Sequence, residues 1–98
     1  GLDRIREESQ QKAKLLYDFF EQDERFSLFV ENQRLRSETV IVANTNFPAP
    51  ELIEFLDQKD FVVGSGYRER KKDQIRVANF PAVSIADVER LIHTIREF

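Results

Sequence analysis

The sequence predicts an α+β domain, a two-layer sandwich in which a three- to four-stranded, mainly antiparallel sheet carries helices on one face. Three observations point there. Apolar residues recur at helical spacing in the first and last segments. Short β-branched or aromatic runs lie between them, and the connections are short enough to join antiparallel neighbours. No repeat is present, and 98 residues suffice for one hydrophobic core.

The first helix is read over residues 1–22, where Leu2, Ile5, Ser9, Ala13, Leu16 and Phe20 step by three and four and Leu15 and Phe19 widen the stripe. Arg4, Glu7, Glu8, Lys12 and Lys14 are assigned to its solvated side. Asp18, Glu21, Asp23 and Glu24 crowd the C-terminal end, where the helix dipole disfavours acids; they read as a solvated surface. Residues 26–30 form a short apolar strand. Residues 39–43, Thr-Val-Ile-Val-Ala, lack alternation, as expected for a central strand buried on both faces. Residues 31–38 between them are polar and read as a connection.

The Asn44 to Pro50 segment is a loop that leads into a second helix, with Pro50 as its first residue and Leu52, Ile53, Phe55 and Leu56 on its buried side. That helix ends near Lys59. Residues 61–63 are a third strand candidate, and Gly64-Ser65-Gly66 reads as a turn in which glycine makes positive φ cheap. A charged loop over residues 67–73 precedes the fourth strand. Ser84 and Asp87 form a capping box at the start of the last helix, with Val83 placed to pack on Val88. Ile85, Val88, Leu91 or Ile92, Ile95 and Phe98 supply its apolar face.

Ile75-Arg76-Val77-Ala78-Asn79-Phe80-Pro81 places one fixed cation in an otherwise apolar strand. Alternation sends Ile75, Val77 and Asn79 to one face and Arg76, Ala78 and Phe80 to the other, and Pro81 ends the ladder. An arginine cannot lose its charge, so a buried Arg76 needs an anion, and its planar fork suits a carboxylate. An edge strand with a solvated or snorkelling arginine gives the same pattern. Directed away from the helix-packing residues, Arg76 faces whatever lies against the bare side of the sheet.

Other chemistry finds little support. A net charge of −3 with mixed signs argues against a broad nucleic-acid footprint, and the glycine-aromatic motif of RNA-binding sheets is missing. With no cysteine and His93 alone, neither a thiolate site nor a histidine pair for a metal can be built. The Gly64-Ser65-Gly66 turn lacks the remaining residues of a nucleotide loop. Arg68, Arg70, Lys71 and Lys72 make a basic cluster, which reads as a solvated loop or as a local anion site. No apolar run approaches a membrane span, and no secretory leader is seen, so the expected location is cytoplasmic. The chain has no methionine and opens on Gly1, as expected for a piece of a longer protein.

Ile5-Arg6-Glu7-Glu8, the segment 35–42, Gly66-Tyr67-Arg68, and the segment 75–81 with its following helix together resemble the carboxy-terminal small domain of phosphoserine aminotransferase. That family belongs to the class V, fold-type I pyridoxal-phosphate transaminases. The resemblance covers the chain in order. It implies an aminotransferase small-domain fold over residues 1–98, a large pyridoxal-phosphate-binding domain outside this chain, and a homodimeric parent enzyme. It also implies that Arg76 holds the α-carboxylate of an amino-acid substrate and that Arg68 helps hold a phosphate, with Tyr67 standing where the family has histidine. The implied reaction converts phosphoserine and 2-oxoglutarate to 3-phosphohydroxypyruvate and glutamate, in serine biosynthesis. The Schiff-base lysine and the acid for the pyridinium nitrogen would belong to the large domain, so this chain alone is expected to bind no cofactor tightly and to be inactive. Another class V transaminase, or a free-standing interaction module without catalysis, are the alternative readings.

Overall fold

In the computed structural model, Ala13, Leu16, Phe19 and Phe20 of the first helix close over the sheet and begin the core. The structure describes residues 2–30 and 36–98; the side chain of Leu2 and residues 31–35 of the polar connection lie outside them. The elements run α1 (Leu2–Gln22), β1 (Phe26–Leu28), β2 (Val40–Thr45), α2 (Ala49–Gln58), β3 (Gly64–Ser65), β4 (Gln74–Ala78) and α3 (Ile85–Glu97). The sheet has the order β1-β2-β4-β3, and every neighbouring pair is antiparallel. This is the α+β two-layer sandwich expected from the sequence.

The period of two along each strand decides which face is covered. Phe26 and Leu28, Ile41 and Ala43, and Ile75 and Val77 are all buried on one side, where residues of the three helices complete a single core. Tilted and edge-to-face ring contacts run from Phe19 through Phe20, Phe26 and Phe47 to Phe98 and Phe55, with centroid separations of 5.0–5.9 Å. The β-branched run of β2 is therefore buried on one face only, with Val40 and Val42 half-covered, in contrast to the expected two-sided burial. Its second face belongs to the bare side of the sheet.

Several boundaries shift: β1 stops at Leu28 rather than residue 30, β2 runs on to Thr45 into the expected loop, and α2 opens at Ala49, ahead of Pro50. The third strand falls on Gly64–Ser65 rather than residues 61–63, because Gly64 and Ser65 pair with Arg76 and Ile75 while Phe61 instead closes α2 through a bond to Leu56 O. Among the described residues no glycine has positive φ, and the left-handed ones are Asp60 (φ 68°) and Arg68 (φ 50°). The last helix opens as expected: Ser84 Oγ accepts from Asp87 N, and Asp87 Oδ2 accepts from Ser84 N. The acidic end of α1 is knitted rather than merely solvated, with Asp18 paired to Lys14, Glu21 to Arg36 and Asp23 to Arg25.

Candidate substrate-binding site

The bare face of the sheet centres on Arg76. In register, Arg76 lies between Val42 of β2 and Gly64 of β3, and it projects opposite to the buried Ile75 and Val77. The alternation read from the sequence holds through the end of the strand: Ala78 and Phe80 are exposed, while Asn79 turns inward. Phe29, Tyr67 and Phe80 are exposed large apolar side chains, so the face offers a cation among apolar surface. Such a surface suits a partner that excludes water around an ionic contact.

Among the described residues, no carboxylate stands within ion-pair distance of Arg76. Its guanidinium carbon instead lies 4.1 Å from the centroid of the Tyr67 ring. The guanidinium thus has an aromatic neighbour and a full set of N–H donors for a planar anion. Neither α1, α2 nor α3 covers it, because all of them pack on the other face.

The turn after β3 carries Tyr67 and Arg68. Residues Arg68–Lys71 form a single 3-10 turn closed by Arg70 N donating to Tyr67 O at 2.9 Å. Arg70 is tied down by Asp73 Oδ1 at 3.0 Å and Asn44 Oδ1 at 2.7 Å, and Asn44 also accepts from the buried Gln74. Arg70 is thus a brace of the turn. Arg68 is exposed and held in the left-handed region, a conformation that costs a side-chain-bearing residue about 1–2 kcal/mol. Lys71 and Lys72 are exposed on the same turn.

Behind the site, Asn79 and Lys12 fix the exit of β4. Asn79 Nδ2 donates to Ser9 O at 3.1 Å and Glu38 O at 2.8 Å, and its backbone N–H donates to Thr39 O. Lys12, assigned from the sequence to the solvated side of α1, is 1% exposed. Its ammonium donates to Phe80 O at 2.9 Å and Val83 O at 2.5 Å. The signal was present in the spacing: Ser9, Lys12, Ala13 and Leu16 share one helical stripe, so Lys12 had to be buried or swing aside. A lysine there serves the chain because its stem packs on the core while its head adds a donor to Phe80 O, which already accepts from Val83 N, and to Val83 O.

These contacts also bear on whether the chain could hold pyridoxal phosphate by itself. A Schiff-base lysine needs a desolvated, reachable amine. Lys12 is desolvated but spent on two carbonyls, Lys14 is exposed and bonded to Asp18, Lys59 lies exposed beside the Phe55 ring, and Lys71 and Lys72 are exposed. None of these five lysines combines a desolvated amine with a free one. No group of three or more metal-ligating side chains is found among the described residues, and His93 stands exposed beside Glu97 at 3.1 Å. No helix among the described residues is long and apolar enough to cross a membrane.

No protein-family model and no curated protein matches the sequence. Solved structures do. A NifS-like protein from Rickettsia africae superimposes over 97% of this chain and 30% of its own, with TM-score 0.73 and 20% identity. A cystine C-S lyase in complex with its product cysteine persulfide does so over 94% of this chain and 23% of its own, with TM-score 0.74 and 10% identity. At these identities the likeness is one of fold. A phosphoserine aminotransferase from Cytophaga hutchinsonii matches at TM-score 0.91 and 43% identity over 97% of this chain. The antiparallel sheet with helices on one face is thus a small-domain fold found within larger enzymes, and this chain resembles the C-terminal small domain of class V pyridoxal-phosphate aminotransferases. Within that class, the 43% likeness is to phosphoserine aminotransferase; this chain spans 26% of that relative's length.

Proposed function

We propose that residues 1–98 are the C-terminal small domain of a phosphoserine aminotransferase, and that Arg76 is its carboxylate clamp. The carrying observation is the position of that guanidinium: on the uncovered face, without an acidic partner among the described residues, in a chain 43% identical to a phosphoserine aminotransferase. A small domain closing over a substrate would bring this face toward the reacting centre. There Arg76 would hold the α-carboxylate by two parallel hydrogen bonds, and the exposed apolar side chains Phe29 and Phe80 would exclude water from the ion pair.

Arg68 would then meet the phosphate of phosphoserine, exposed on a turn whose other basic residues Lys71 and Lys72 add positive potential. The large domain, outside these residues, would carry the pyridoxal phosphate, whose chemistry when bound is to serve as the electron sink for amino-group transfer. The parent enzyme would be a cytoplasmic homodimer that turns phosphoserine and 2-oxoglutarate into 3-phosphohydroxypyruvate and glutamate.

The test is the full-length protein assayed for glutamate formation from 2-oxoglutarate with phosphoserine, and separately with unphosphorylated serine and with cysteine. The reading predicts transfer from phosphoserine at a kcat/KM well above that from the other donors, and none from the 98-residue chain alone. Equal or better use of an unphosphorylated donor would move the protein to another class V activity.

A further inference from the structure

The contact between Arg76 and Tyr67 is closer than any other cation–ring pair among the described residues: 4.1 Å, where the rest span 5.0–5.8 Å. It joins two separate stretches of chain. Arg76 is fixed by β4, while Tyr67 comes from the turn after β3. The turn is held against β4 by Gly66 N donating to Gln74 O at 3.0 Å, and it is closed by the bond between Arg70 N and Tyr67 O. Gly66 lets the turn lie this close to its neighbours, since a Cβ there would lie 2.5 Å from Arg70 O and 2.7 Å from Gln74 Oε1. Of the two neighbours of Arg76 in register, Val42 and Gly64, the one on the Tyr67 side, Gly64, has no side chain to lay over it.

An arginine side chain with four rotatable bonds in its stem normally sweeps a wide arc, and fixing it on binding costs rotamer entropy. A ring beneath the guanidinium removes part of that freedom beforehand. A guanidinium laid flat on that ring would keep its in-plane N–H groups for an acceptor. Tyr67 itself is 70% exposed, so packing does not account for its place.

We propose that Tyr67 is the positioning residue of the carboxylate site: its ring sets the plane of the Arg76 guanidinium for a planar carboxylate, and it acts through Arg76 rather than by holding substrate. The inference rests on the assignment of Arg76 above. It uses the ring and not the hydroxyl.

The test takes the full-length protein and measures kcat and KM for 2-oxoglutarate, with thermal midpoints alongside, in Tyr67→Phe, Tyr67→Leu, Tyr67→Ala, Arg76→Ala and the double variant Tyr67→Ala/Arg76→Ala. Tyr67→Phe should stay within about twofold of wild type, whereas Tyr67→Leu and Tyr67→Ala should raise KM by about 3- to 30-fold with little change in kcat, the range set by cation–ring energies. In the Arg76→Ala background, Tyr67→Ala should add nothing. A large effect of Arg76→Ala with none from Tyr67→Ala or Tyr67→Leu would overturn the positioning role alone. A silent Arg76→Ala would overturn the carboxylate clamp and this inference together. Loss in Tyr67→Phe equal to that in Tyr67→Ala would show that the hydroxyl acts, against the role assigned to the ring.

Discussion

The ammonium of Lys12, on α1, lies 2.9 Å from the carbonyl oxygen of Phe80, four residues beyond Arg76 on the chain. Through that bond, and the second one to Val83 O, the first helix holds the loop that joins β4 to α3. Asn79 adds bonds to α1 and to the segment entering β2. The strand carrying the proposed clamp is therefore anchored from behind by polar groups within the core layer. Lys12→Met keeps an apolar stem of similar length and deletes the head. Loss of two charge-assisted bonds, to Phe80 O and Val83 O, should lower stability by about 1.5–3 kcal/mol in urea unfolding. An unchanged unfolding midpoint would show that water replaces the ammonium without cost.

The acid limb of stability should owe part of its slope to Asp23 and Asp87. The hydrogen-bonded Arg25 side chain holds the Asp23 carboxyl below the ordinary carboxylate value, and the Ser84 backbone N–H does the same for Asp87 at the start of α3. Both folded-state values are depressed, so their contributions are present above about pH 4 and are lost as pH falls through the lower folded values. Asp23→Asn combined with Asp87→Asn should be less stable than wild type near neutrality. It should also lose less on acidification from about pH 6 to pH 3, read as urea midpoints at each pH. Parallel acid curves for the two proteins would contradict this.

Gly64 and Gly66 stand two residues apart and should respond oppositely to the same change. At Gly64 a Cβ would meet Arg76 Cβ and O at 3.8 Å, ordinary van der Waals contact. At Gly66 it would strike the Arg70 carbonyl at 2.5 Å and Arg70 Cβ at 2.8 Å. Gly66→Ala should therefore destabilise by about 1–3 kcal/mol, the range for overpacking, while Gly64→Ala stays within about 1 kcal/mol of wild type. Denaturant unfolding of the two variants decides it, and equal effects would contradict the role of close approach at Gly66.

These residues also show how far the sequence could be read. Periodicity placed α1, α2 and α3, and the Ser84–Asp87 box marked the start of α3 to the residue, because both signals are local. Alternation correctly divided β4 into a covered face and a bare one, with Arg76 on the latter. It was less use in β2, whose Val40 and Val42 are as apolar as Ile41; the sequence of that strand does not show that its second face lies open in this chain. Lys12 escaped because charge was given priority over helical position, although the stripe runs through it. The Tyr67–Arg76 contact joins residues from different segments, and nothing in the linear order brings them together. Nor could turn chemistry show that Gly66 is glycine for lack of space rather than for positive φ.

The most direct measurement of the central claim is steady-state kinetics of Arg76→Ala in the full-length protein, taken with its thermal midpoint. A guanidinium that grips the substrate carboxylate on an open face predicts a fall in kcat/KM of about 10- to 150-fold, the equivalent of a charge-assisted contact, with a midpoint close to wild type. Unchanged kcat/KM, or a loss of activity that tracks a large drop in the midpoint, would contradict it.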